Sequence, residues 1–192
     1  MIFSFACIVI FSCTKPNTNI GYQKLYFDLA GFFDEQVAQL YKDSLVAIKT
    51  SEINGVSDQH QMPWTDWKKE FSLFYGSEIN KASYAGKYSI DTIHNAQNDS
   101  SLKEVQYKAK DINLRTQLLE VIFYKHTGKV KNIHIINHAS NFLSGSDEEL
   151  FYEVSQGYII KTKTSMKLFG EDNFAVKGEM VEKNNNFIQS VN

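Results

Sequence analysis

A chain of 192 residues with 20 Lys+Arg, 22 Asp+Glu and a net charge of −2 has room for one domain with a sizeable core and short extensions. That balance excludes a strongly basic nucleic-acid binder and an acidic disordered tail. Two prolines and ten glycines exclude collagen-like and proline-rich classes.

In chain order, Met1 to Ser12 read MIFSFACIVIFS, without a charge. A membrane-spanning helix needs about 20 apolar residues, so this stretch is too short to cross; it has the length of the apolar region of an export signal. It ends Ile10-Phe11-Ser12-Cys13, a small residue before a Cys with an aliphatic residue two further back. This resembles the lipobox of bacterial lipoproteins. The resemblance implies that the leader 1–12 is removed, that the Cys13 sulfur receives diacylglycerol, and that the new amino group is acylated, for instance by palmitate. Residues 13–19 are polar and contain Pro16, as a tether should. One acyl chain holds a protein marginally, whereas two or more hold it firmly.

Thr14 is not the Asp that retains many such lipoproteins at the inner membrane. The residues after Cys13 also lack the acidic cluster of surface-exported ones. The expected location is therefore the periplasmic face of the outer membrane. The expected contacts are the membrane through lipid on Cys13 and an envelope protein or cell-wall partner, with no nucleic acid. With Cys7 lost in the leader and Cys13 blocked, the mature domain carries no thiol and no disulfide, although its compartment is oxidising. Thiol catalysis and Cys-ligated zinc are excluded.

Residues 20–181 read as a single α+β domain. Over 20–42, Tyr22, Tyr26, Leu29, Phe33, Val37 and Leu40 make an apolar stripe opposite Lys24, Asp28, Glu35, Gln39 and Lys42, the signature of an amphipathic helix. Leu45–Ile53 and Val56–Gln61 flank Asn54-Gly55, the strongest short hairpin signal. The second arm is polar, so the hairpin is expected to project from the body. Thr65 or Asp66 caps a second helix with Trp67, Phe71 and Phe74 on its apolar side, ending at Gly76. An irregular turn is expected within Ile79–Lys87.

From Lys87 the period changes to two. The predicted strands are Tyr88–His94, Leu102–Lys110, Arg115–Lys125, Val130–Ser140, Glu149–Ser155, Tyr158–Met166 and Asn173–Val181, separated by turn signals. Connections this short make neighbours antiparallel. The expected fold is an antiparallel meander sheet of about seven strands with two N-terminal amphipathic helices packed on one face. Ile159, Lys161 and Lys163 should face away from Tyr158, Ile160 and Thr162, giving one covered and one wetter face. Residues 182–192 hold Asn184-Asn185-Asn186 and read as a flexible tail.

Chemistry is sparse. No Gly-x-Ser-x-Gly, His-Glu-x-x-His or phosphate-loop motif occurs. His134 and His138 lie four apart in one predicted strand and share a face. A three-residue turn at Thr127-Gly128 would place Leu118 opposite His138, Ile122 opposite His134 and Glu120 diagonally between the histidines. Two imidazoles and a carboxylate could hold a metal, but two histidines on the wetter face of a sheet is the plainer reading, and no metal or other cofactor is assigned. The acidic run Asp147-Glu148-Glu149 reads as a solvated strand entrance. Lys125, Lys129, Lys131, Lys161, Lys163 and Lys167 read as edge protection. Phe142 and Phe151 are candidates to line a cavity.

Tyr26-Phe27-Asp28-Leu29-Ala30-Gly31-Phe32-Phe33, Asp66-Trp67-Lys68-Lys69-Glu70, Ser77-Glu78-Ile79-Asn80-Lys81 and Phe169-Gly170-Glu171 resemble stretches of a family of small lipoproteins of Bacteroidota, over about residues 20–180. The resemblance implies an anchor and a fold but brings no activity. The expected function is a membrane-anchored, non-catalytic binding or structural module. The alternatives are a periplasmic carrier of a hydrophobic ligand, similar in outline to lipoprotein carriers such as LolA, and a metal-assisted enzyme.

Overall fold

The computed structural model describes residues 24–61, 64–167 and 170–183. The predicted leader, Cys13, the tether and all of the predicted tail beyond Lys183 lie outside them. Among the described residues no helix is long and apolar enough to cross a membrane.

Helix α1 spans Leu29–Lys42, starting later than the stripe from Tyr22 suggested. Asp28 stops it: its Oδ1 accepts from the Gly31 N–H at 3.1 Å and supplies the N-cap, with Lys24 paired to the same carboxylate. The chain before the cap is pinned by Asn80, whose Oδ1 accepts from the Tyr26 N–H at 3.0 Å and whose Nδ2 donates to the Tyr26 and Phe27 carbonyls. Tyr26 is therefore buried as the stripe implied, but by a non-helical backbone. Leu29, Phe33, Val37 and Leu40 are the buried side of α1.

The second predicted helix is two short ones, α2 Trp67–Glu70 and α3 Ser72–Gly76, meeting at Phe71. Asp66 caps α2, accepting from the Lys69 N–H at 3.2 Å. Trp67, Phe71 and Phe74 are all fully buried, so the apolar spacing survives the break. The irregular turn expected after Ile79 is a 3₁₀ turn at Ala82–Tyr84.

The strands are β1 Leu45–Ile53, β2 Val56–Gln61, β3 Tyr88–His94, β4 Leu102–Ala109, β5 Thr116–Tyr124, β6 Val130–Ser140, β7 Ser144–Glu153, β8 Gly157–Met166 and β9 Gly170–Glu182. They form one open antiparallel sheet in the order β2-β1-β9-β8-β7-β6-β5-β4-β3. The α+β class and the meander hold, but the sheet has nine strands instead of about seven. The early hairpin does not project: β1 runs along β9 from Leu45 opposite Glu182 to Ile53 opposite Phe174. Val46 and Ala47 are buried there, under the segment in which Thr65 Oγ1 accepts from the Ala47 N–H at 2.8 Å and Trp67 Nε1 donates to the Leu45 carbonyl at 3.3 Å; polar β2 becomes the edge.

Strand β7 begins five residues before the predicted Glu149. Its acidic run lies within the strand, not at its entrance, and each carboxylate has a partner from elsewhere in the chain: Asp147 with His138 on β6, Glu148 with Arg115 just before β5, Glu149 with Lys161 on β8. The lysines of β8 are not edge protection either, since β8 lies between β7 and β9. Lys161 pairs with Glu149 and Lys163 with Glu171.

The helices cover one face of the sheet. Phe33 lies against Phe71, Phe74 and Tyr152 at ring-centroid distances of 5.0, 4.8 and 5.0 Å, and Trp67 stacks on Phe71. Such ring contacts add to area burial in holding the layers together. Tyr158 reaches from the sheet to donate to Glu70 Oε2 at 2.5 Å, and Lys49 completes the pair at 3.0 Å. Burial, helped by Glu70, pushes the Tyr158 phenol far above its ordinary pKa, so it remains a donor.

Candidate functional site

Strand alternation sends Ile133, Ile135, Leu150, Tyr152 and Tyr158 to the helices and the intervening residues to the opposite face. That second face has no helix on it among the described residues. Only the turn at Ala96–Asn98 folds over one corner, where Ala96, Leu102 and Ile122 form a small cluster.

A row of polar side chains crosses this face. Gln106 on β4 donates through Nε2 to Glu120 Oε1 at 2.8 Å and also contacts Glu104. On the next strand, His134 Nδ1 lies 2.8 Å from Glu120 Oε2 and His134 Nε2 lies 3.1 Å from Glu149 Oε1. Lys161 on β8 donates to Glu149 Oε2 at 3.2 Å. Five strands are thus joined by one hydrogen-bonded chain. Both nitrogens of His134 lie within hydrogen-bond distance of a carboxylate oxygen. Lys161 first and His134 second hold the Glu149 carboxyl below its ordinary pKa.

Beside the row lies a groove of about 380 Å³, walled by Ile122, Phe151 and Ile159 and rimmed by Glu120, His134 and Glu149. Phe151 stands opposite both His134 and Ile159, which places all three on the groove's face of the sheet. The expectation that Phe151 lines a concavity is met here. Phe142, by contrast, is 81% exposed in a turn.

The histidine geometry differs from the expected one. Glu120 stands directly opposite His134, and Leu118 opposite Ile136. The β5–β6 connection is longer than three residues, with Lys129 O accepting from the Tyr124 N–H at 2.9 Å, and a bulge follows Ile122. The net two-residue shift keeps Glu120 on the histidine face but brings it to His134 alone. His138 pairs separately with Asp147 at 2.6 Å. Among the described residues no three His, Cys, Asp or Glu side chains are grouped to hold a metal ion. Both histidines lie on the wetter face.

Gln106, Glu104 and Lys161 were not singled out for this site by sequence. Each sits at a strand position of the wetter parity, but only the register shows that they adjoin.

No protein-family model matches the chain, and no curated protein is significantly similar to it. Among solved structures, the S-type phycobiliprotein lyase CPES from Guillardia theta aligns at 8% identity over 83% of this chain and 99% of that one, with a TM-score of 0.25. A score that low carries neither fold nor function across.

Proposed function

We propose that the protein is a non-catalytic binding module of the bacterial envelope, a lipoprotein of the Bacteroidota type held by lipid on Cys13 at the periplasmic face of the outer membrane. The module takes its ligand on the open sheet face. The observation that carries this reading is the groove of about 380 Å³ beside the Glu120–His134–Glu149 row. A few convergent polar groups over an apolar floor are the usual make-up of a small-molecule site. Three carboxylates, Glu104, Glu120 and Glu149, surround it against His134 and Lys161. The ligand that fits has an apolar body and a cationic head.

The same geometry favours binding over catalysis. Both His134 nitrogens are taken up by carboxylates of the row, which leaves the ring no free nitrogen to offer a bound molecule. A carrier with its cavity beneath the helices finds that space filled by the fully buried Phe33, Trp67, Phe71 and Phe74; a carried ligand belongs in the open groove instead.

Native mass spectrometry of the full chain, isolated from its host in mild detergent, tests both halves. The reading requires a polypeptide beginning at an acylated Cys13, with a small-molecule adduct that is lost in Phe151→Glu. An unprocessed, unacylated chain overturns the anchor. A wild-type chain without an adduct, or an adduct unaffected by Phe151→Glu, overturns the groove.

A further inference from the structure

The two ends of the sheet carry different turns. At one end, the β3–β4, β5–β6 and β7–β8 connections are polar, including Lys125-His126-Thr127-Gly128-Lys129 and Ser155-Gln156. The exposed large apolar side chains flanking them are Ile93, beside the β3–β4 connection, and Tyr124, which keeps a hydroxyl.

At the other end, large apolar side chains lie in solvent within or beside each hairpin connection among the described residues. Ile53 and Val56 flank the β1–β2 turn, Ile112 lies in β4–β5, Phe142 and Leu143 in β6–β7, and Met166 closes β8. Val56 and Ile112 are each 75% exposed and Phe142 is 81% exposed. Given the strand order, these turns form a row along the end of the sheet.

Two of the turns are tied together. The Lys167 N–H donates to the Leu143 carbonyl at 3.2 Å, and the Lys167 ammonium sits 4.0 Å from the Phe142 ring centroid. Isolated exposed apolar residues are ordinary, but a concentration of them marks a contact surface.

We infer that this end of the sheet dips into the surface of a lipid bilayer. The inference rests on the anchored reading above and assigns the orientation of the anchored body. Three features favour lipid over a protein partner. The apolar groups are spread over four separate turns and their flanks, not gathered in one cluster. Aromatic, aliphatic and lysine side chains together suit the interface between headgroups and acyl chains. The chain also enters the fold beside this end: Tyr26 packs on Tyr88, which opens β3 there, at 5.4 Å, and donates to the Tyr84 carbonyl at 3.0 Å. Cys13 lies thirteen residues before Tyr26, a reach of at most about 45 Å, so lipid on it leaves this end able to meet the membrane. Charges of both signs adjoin the tips, Lys110, Lys163 and Lys167 with Asp111, Glu171 and Asp172. Contact is therefore apolar and insensitive to salt.

Tryptophan fluorescence in vesicles containing brominated phosphatidylcholine tests this. The full, host-processed chain is reconstituted with Trp64→Phe and Phe142→Trp; Trp67 is fully buried and gives a constant background. The inserted tip predicts that the position-142 signal falls about twofold or more, since a residue some 5–10 Å into the interface lies within reach of the bromines. The same chain with Trp64→Phe and His126→Trp, at the polar end, should be unquenched, and 1 M-range salt should change neither (about 3 Å screening length). Failure of quenching at position 142 in chain that floats with the vesicles overturns the inference, as does equal quenching at both positions. Flotation of Cys13→Ser beside the wild type tests the anchor separately: equal flotation removes the anchored reading while the position-142 signal still reports the tips.

Discussion

His134 Nδ1 lies 2.8 Å from Glu120 Oε2 across the β5–β6 pair, on the face of the sheet that no helix covers. The two side chains are about a quarter and a fifth exposed, so water screens much of their attraction. A Glu120→Gln chain should lose about 1 kcal/mol or less of stability. It should nevertheless bind a cationic amphiphile several-fold more weakly, because one of three carboxylates at the groove is neutralised. Urea unfolding and a binding titration on the same sample separate the two effects. A large stability loss would make the row a folding element instead of a binding one.

Glu149 gives a pH dependence with a defined sign. Its folded pKa is depressed below the ordinary value of 4.5, first by Lys161 and then by His134. The ionised group therefore stabilises the fold above about pH 4.5, and that contribution is lost as pH falls through the lower folded value. Lys161→Ala should raise the Glu149 pKa towards the ordinary value. Carboxyl NMR titration reads this directly, and an unchanged Glu149 pKa would mean that the contact is not populated.

Gly178 faces the ring of Tyr158, and a Cβ there would come 2.2 Å from Tyr158 Cε1. The aromatic ring covers the bare backbone of β9, a known device for glycine in a sheet. Gly178→Ala must displace the ring and with it the bond to Glu70. The expected cost is about 1–3 kcal/mol, seen as a lower thermal midpoint; Gly76→Ala, where a Cβ meets nothing within 4 Å, is the control.

Asn80→Ala removes three hydrogen bonds to Tyr26 and Phe27 and leaves their backbone groups without those partners. The cost should be about 1–3 kcal/mol. Hydrogen exchange should rise at residues 26–28 while β5–β8 stay protected. Uniform acceleration across the sheet would show that the segment is part of the global unfolding unit.

Much of this architecture follows from local pattern. The turn residues and period-two runs give β3 and β6 with their observed bounds, and the apolar spacing of Trp67, Phe71 and Phe74 marks the buried side of α2 and α3. What local pattern lacks is partnership over distance. Nothing within Leu45–Ile53 reveals that β9 will pair with it, and nothing near Ser144 reveals that Asp147, Glu148 and Glu149 each meet a cation or imidazole from a distant part of the chain. The polar row depends on register: Glu120 and His134 were identifiable as neighbours on one face, but a two-residue shift decides whether one histidine or two share the carboxylate. Gln106 and Lys161 enter only through that register.

The most direct measurement of the central claim is NMR mapping of the full chain titrated with dodecyltrimethylammonium below its micelle concentration. The account predicts saturable shifts at Ile122, His134, Phe151 and Ile159, with Phe33 and Trp67 unmoved. Shifts confined to the helix-covered core or to the hairpin tips, with His134 and Phe151 silent, would contradict it.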